Sequence, residues 1–255
     1  MPTQTQKDHI SKKLKEYAKR YLSKKYETLD ESATRLMINS FLTEVLGYAE
    51  LDEIKTEYQI HNTYADYIIQ LQRKKHIIVE VEAIQIDLSD KHIYQAVNYA
   101  ANEGVDWVLL TNGRVFALYR VMFKKPITHK RIFSFDLKDK VQLKAATEYF
   151  AMMTKRSMLK NELDKFWLRF QALEPNNLCK YLYSVEVGKL LRRALKKNAG
   201  LTFSEDDLFA SIHQIIVEKI AFEQPSTPNW LFKLKKQKTV SLAGAMTVVH
   251  NENGV

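Results

Sequence analysis

The sequence predicts an α/β fold: a mixed central sheet with flanking helices, followed by an all-helical C-terminal extension. Three observations lead there. Apolar residues recur at about 3.6 up to residue 46, then at about 2 between 54 and 83, and return to a helical period from about 138. A single helical stretch, 89–103, lies between two groups of strands. Asn112-Gly113, flanked by apolar runs, is a strong hairpin signal. The order of helix, three strands, helix, strand pair and helices implies a mixed sheet covered by helices.

The elements follow from local signals. Residues 7–26 read as a basic helix with Ile10, Leu14, Tyr17 and Leu22 as its apolar positions. Asp30 caps a second helix over about 31–46, with Leu36, Ile38, Phe41, Leu42 and Val45 on its apolar face, and Gly47 ends it. Strands are expected over 54–60, 65–71 and 76–83, joined by HNTY and the polar turn QRKK. Ser89 caps the helix of 89–103, Asp90 suits its dipole, and Gly104 ends it. Strands 106–111 and 115–121 surround the Asn-Gly turn, and 131–137 adds another. Helices are expected over 141–156, 160–172, 178–182, 186–197 and 205–222, the last stopped by Pro225 and Pro228. The domain reading is a basic N-terminal helix (1–28), a core (29–137), a helical extension (138–228) and a basic, mobile tail (229–255).

Charge is unevenly placed. The chain of 255 residues has net charge +9. Residues 1–27 carry +5, residues 28–150 carry −2, and residues 151–255 carry +6. Basic arms around a slightly acidic centre suit an acidic site that must approach an anionic partner; solvated Lys-rich helices give the same totals. The one cysteine, Cys179, excludes an internal disulfide framework and a Cys-based zinc site. The N-terminus lacks the apolar core of a signal peptide, and no apolar run approaches bilayer length, so a soluble, cytoplasmic protein is expected.

The chemistry concentrates between Tyr64 and Tyr99. Strand alternation puts Ile78, Glu80 and Glu82 on one face, and Asp66, Ile68 and Gln70 on one face of the neighbouring strand. Pairing through QRKK brings Asp66 beside Glu80 and Glu82. Three carboxylates so close repel, and a hard divalent cation relieves the repulsion with oxygen ligands. Such a site can polarise a phosphate and activate water. A sheet with one solvated face accounts for the same carboxylates without a metal.

Residues from about 30 to 137 resemble the N-terminal nuclease domain of type I restriction enzyme R subunits, a branch of the PD-(D/E)xK superfamily. The resemblance is carried by RLMINSFLTEVLGY, the Glu57 strand, Asp66 in ADYII, Glu80 in IIVEVEA, QAVNYAANEGVDWVLLTNG and the following VFALY. It implies a restriction-endonuclease-like core, with Asp66 and Glu80 as ligands of Mg²⁺ or Mn²⁺. Gln95 and Tyr99 match the QxxxY motif of this branch; spaced by four, they share a helix face. The family pattern asks for E-x-K, and this chain has E-x-E at Glu80 and Glu82. Glu82 is then a further metal ligand or a general base, or else the site has lost its cation and no longer cuts. Lys74, Lys75 or Lys91 would supply a displaced ammonium, with Lys91 the best placed. Glu57 and Glu44 are lesser candidates for outer contacts, and His61, His76 and His92 read as surface or satisfied core histidines.

The function so implied is metal-dependent DNA phosphodiester hydrolysis of restriction or phage-defence type. The backbone would be gripped by Lys12, Lys13, Lys74, Lys75, Lys91, Arg192, Arg193, Lys196 and Lys197 in a salt-sensitive way. The alternatives are a degenerate nuclease-fold module that binds DNA without cutting, and an interaction subunit. For the latter, Phe166, Trp167, Phe170, Tyr181 and Tyr183 would serve as an interface, though they suit a helical core equally. No G-x-x-x-x-G-K-[ST] is present, and Gly188-Lys189 lacks the preceding glycine. The resemblance is therefore to a stand-alone relative without the helicase motor and without an ATP site, acting as a homodimer or with separate restriction-system subunits.

Overall fold

Six strands form a mixed sheet in the order β1-β2-β3-β4-β5-β6. They are β1 (Ile54–Ile60), β2 (Thr63–Leu71), β3 (Lys74–Val81), β4 (Trp107–Thr111), β5 (Val115–Met122) and β6 (Thr128–Asp136). The structure, a computed structural model, describes residues 1–60 and 63–218. His61, the end of the last expected helix, Pro225, Pro228 and the tail over 229–255 lie outside the described residues. Every neighbouring pair of strands is antiparallel except β3 and β4. That parallel pair requires a crossover, which helix α4 (Asp90–Glu103) provides. Two compact units are present, Met1–Asp164 and the residues from Lys165 onward.

Helices flank the sheet of the first unit. Helix α1 (Gln4–Tyr21) starts from a Thr3–Gln6 capping box and buries Ile10, Leu14 and Tyr17. It ends five residues earlier than its charge pattern suggests, because Ser23 turns extended before a short 3-10 turn at Lys24–Tyr26. Helix α2 (Glu31–Ser40) is capped by Asp30, which accepts from the Ala33 amide at 2.8 Å. It continues as a π-helical turn, Phe41–Val45, whose wider winding turns Phe41, Leu42 and Val45 inward together. A four-residue helix α3 (Glu50–Glu53) follows; it is acidic and has no apolar period, so nothing in the sequence marks it.

The two sheet faces have different cores. Helix α4 covers one face, packing Ile93, Ala96, Val97 and Ala100 against Ile68, Ile78, Val108 and Leu110. The residues between them, by alternation, point to the other face. There Phe116 meets Phe41 with ring centroids 4.5 Å apart, and Phe150 and Tyr17 join the cluster at 5.0 and 5.2 Å from Phe41. Tyr17 also donates a buried 2.8 Å hydrogen bond to the Gly113 carbonyl, tying α1 to the β4–β5 turn.

Helices α5 (Lys140–Met153) and α6 (Lys155–Met158) belong to this first unit. Phe150 enters the ring cluster, Lys7 pairs with Glu148 at 2.5 Å, and Tyr48 donates to the Met153 carbonyl at 2.5 Å. The division therefore falls at Asp164/Lys165, beyond the 137/138 boundary read from the change of period. The N-terminal helix is likewise part of the same unit. A change of period locates a change of element type; it does not say which core an element joins.

Helix α7 (Glu162–Ala172) crosses that division, and α8 (Pro175–Leu182), α9 (Val185–Ala199) and α10 (Glu205–Glu218) follow. Phe166 and Trp167 are buried, and Trp167 stacks on Phe170 at 5.6 Å. Tyr181 and Tyr183 are exposed. Cys179 is a free, half-buried thiol. Among the described residues no helix is long and apolar enough to cross a membrane.

Candidate functional site

The β2–β3 hairpin sets the site. Its register pairs Tyr67 with Val79 and Ile68 with Ile78, which puts Asp66 across from Glu80. The strands are apolar on both sides here, so both carboxylates are buried, 7% and 6% exposed. Each is held by backbone. Asp66 Oδ2 accepts from the Val81 amide at 2.7 Å, and Glu80 Oε1 accepts from the Asp66 amide at 3.3 Å.

Burial raises both groups. Asp66 is pushed up to about 6 by desolvation, against the pull of the Val81 amide and the Arg35 guanidinium. Glu80 is pushed up to about 9, first by desolvation and then by the charge of Asp66. At neutral pH the pair therefore holds a proton more readily than two free carboxylates would.

Glu82 lies one residue beyond β3, half-buried, with its amide bonded to the Thr111 carbonyl at 2.9 Å. Its carboxylate stands 3.8 Å from His92 Nε2. Burial raises its pKa, while His92 and Lys91 act in the opposite sense. Among the described residues, no three His, Cys, Asp or Glu side chains gather closely enough to hold a metal ion. The structure thus brings Asp66 and Glu80 together and turns Glu82 toward α4.

The other expected residues are distributed. Gln95 donates to the Tyr99 hydroxyl at 3.2 Å, so the two do share a helix face; Gln95 is exposed and Tyr99 buried in the α4 core. Lys75 pairs with Glu103 and donates to the Tyr58 hydroxyl at 2.9 Å. Lys74 and Lys91 are exposed. Lys12 and Lys13 pair with Glu16 on their own helix, at 4.0 and 3.1 Å. Arg192, Arg193, Lys196 and Lys197 lie on α9 in the second unit, with Arg192 paired to Glu205 at 3.0 Å. Glu44 pairs with Arg20 at 3.2 Å. His92 closes the capping box of α4, accepting from the Ser89 amide at 3.2 Å.

One residue absent from the sequence reading stands at the centre. Arg35 on α2 places Nη2 at 2.5 Å from Asp66 Oδ1 and 2.6 Å from Glu31, and Nη1 at 3.5 Å from Glu57. Tyr67 donates to the Arg35 carbonyl at 2.7 Å, fixing α2 over β2. The sequence signal was a Glu31–Arg35 pair at i,i+4, which is common on exposed helices and does not point to a site. Glu57 reaches Arg35 from a left-handed backbone, φ +46, in the middle of β1. Non-glycine residues held there store strain of roughly 1–3 kcal/mol, a feature that clusters at functional sites.

The donor set fits a hard divalent cation. Mg²⁺ takes one or two carboxylates and keeps several waters, and Asp66 and Glu80 form a buried pair of oxygen donors whose full ionisation burial disfavours until a cation is present. The fit is to this pair rather than to a closed three-carboxylate cage.

A mixed sheet whose central hairpin buries opposed carboxylates defines an α/β domain with an acidic site. Residues 30–132 match the family described as type I restriction enzyme R protein N terminus (HSDR_N), so the resemblance read from the sequence holds over that segment. No curated protein matches this chain. Among solved structures, one described as the cryo-EM structure of the DrdV–DNA complex aligns with TM-score 0.35 and 15% identity, covering 84% of this chain. This chain spans about a fifth of that one, 21%.

Proposed function

We propose that this chain is a metal-dependent DNA endonuclease of restriction or defence type, with Asp66 and Glu80 holding Mg²⁺ or Mn²⁺. One observation carries the reading. Within a segment of the restriction R-protein family, two carboxylates face one another from paired strands, buried, with both pKa values raised. A purely structural sheet gains nothing from that arrangement, which costs stability as long as no cation is bound.

The bound cation would polarise a phosphate oxygen and lower the pKa of a water. Hydrolysis would form one P–O bond from water and break one ester P–O bond, the leaving oxygen taking a proton from solvent. Glu82, half-buried and with its pKa raised by burial, would take the proton that the water loses, with His92 Nε2 standing 3.8 Å from its carboxylate. The Val81 and Asp66 amides keep the two ligand carboxylates aimed. Gln95 and Tyr99 form a paired polar patch on α4, and exposed Lys74 and Lys91 contribute sequence-blind contacts to the DNA backbone.

A second reading, a nuclease-fold module that binds DNA without cutting, is favoured by glutamate at the lysine position and by the absence of a three-ligand group among the described residues. A plasmid and linear-DNA cleavage assay with Mg²⁺ or Mn²⁺ separates the two. Under the first reading the wild-type protein cuts, and Asp66→Asn abolishes cutting while DNA affinity stays within about threefold, since the lost group is not a phosphate contact. Equal cutting by Asp66→Asn removes the site from consideration. Intact DNA with wild type, together with retained binding and a gain of cutting in Glu82→Lys, establishes the second reading.

A further inference from the structure

Resting on the metal-dependent reading, we infer that Arg35 is the site's built-in cation, standing in for the lysine that Glu82 replaces and presenting its guanidinium to the scissile phosphate. The chain lacks a lysine at position 82, and each candidate for a displaced ammonium is placed otherwise. Lys75 is paired to Glu103, Lys74 is exposed on the first residue of β3, and Lys91 faces Glu82 from α4. Arg35 alone among the described cations touches the Asp66–Glu80 pair.

Three features fit a working cation better than a structural tie. Arg35 is half-buried, its side chain 29% exposed, so the group is not sealed inside the core. Its Nε is buried with no hydrogen-bond partner, so the guanidinium is not fully satisfied by the three carboxylates around it. Its carbonyl accepts from the hydroxyl of Tyr67, the neighbour of Asp66, which ties the helix to the carboxylate strand at this point. Glu31 and Glu57 steady the fork, the latter from its strained backbone.

Arg35 and a divalent cation would both draw on the Asp66 carboxylate, which gives the role a signature that a structural arginine would not show. Calorimetric titration of Mn²⁺ into wild type, Arg35→Gln, Arg35→Lys and Asp66→Asn, beside DNA cutting at saturating Mn²⁺, reads it. Removing a positive charge a few ångströms from the site should tighten Mn²⁺ binding about tenfold in Arg35→Gln. Cutting should nevertheless fall at least about a hundredfold, the scale of losing one transition-state donor. Arg35→Lys keeps the charge and loses the fork, so it should keep wild-type Mn²⁺ affinity within about threefold and cut at a level between wild type and Arg35→Gln, and it covers the case in which Arg35→Gln fails to fold. Weaker Mn²⁺ binding in Arg35→Gln makes Arg35 a structural tie and overturns the inference. So does tighter binding with undiminished cutting. Wild-type protein that shows no Asp66-dependent Mn²⁺ binding, or binds and does not cut, overturns the nuclease reading itself, and this inference with it.

Discussion

Replacing Glu80 by glutamine should make the metal-free protein more stable, by an amount that grows with pH. Glu80 ionises near 4.5 in an unfolded chain and near 9 in the fold. A carboxyl raised on folding leaves stability intact below the unfolded value and removes it as pH rises toward the folded one. At pH 7 the folded protein must keep a proton that the unfolded chain releases, a penalty of ~3 kcal/mol at 1.36 kcal/mol per pH unit. Glutamine is neutral at every pH and keeps the oxygen that accepts the Asp66 amide. The expected gain is therefore under about 1 kcal/mol at pH 5, ~3 kcal/mol at pH 7 and more toward pH 9. For a unit of this size 3 kcal/mol corresponds to roughly 10 °C in Tm. Urea and thermal unfolding of wild type and Glu80→Gln in chelator at pH 5, 7 and 9 would show the widening gap. A gap that stays flat with pH, or a variant less stable than wild type at pH 8, would refute the claim that Glu80 is a carboxylate held against its own solvation. The same variant should lose the stabilisation that added Mn²⁺ gives wild type.

Two further substitutions test the frame around the site. Tyr17→Phe removes the buried hydrogen bond to the Gly113 carbonyl and should cost about 1–2 kcal/mol in urea unfolding; wild-type stability would show that the ring alone anchors α1. Gly113→Ala should cost at least ~2 kcal/mol, because φ is +80 and the new Cβ would stand 3.1 Å from Met37 Cε and 3.2 Å from Thr34 Cγ2. A neutral result there would mean that α2 moves freely over the turn. Because α2 carries Arg35, Gly113→Ala should also weaken Mn²⁺-dependent cutting if the first unit acts as the nuclease.

Strand periods, the Asn-Gly turn and the Asp30 and Ser89 caps were readable from residue order because each is a contact within a few positions. So were Asp66 and Glu80 as partners, since a tight turn between two apolar runs leaves few registers. The π-helical turn at Phe41–Val45 was not readable, because its winding goes with the packing of Phe41 on rings from β5 and α5, far away in sequence. The placement of α5 in the first unit depends on the same cluster.

The site divides along the same line. Residue order alone determined which carboxylates lie on the hairpin and that lysine is missing at position 82. Tertiary structure alone decided that Glu82 turns to His92 and that Arg35, 31 residues away in sequence, sits on Asp66. The physical reason is range: pleat and turn geometry act between neighbours in the chain, whereas charge compensation selects whichever cation the packing of α2 over β2 delivers.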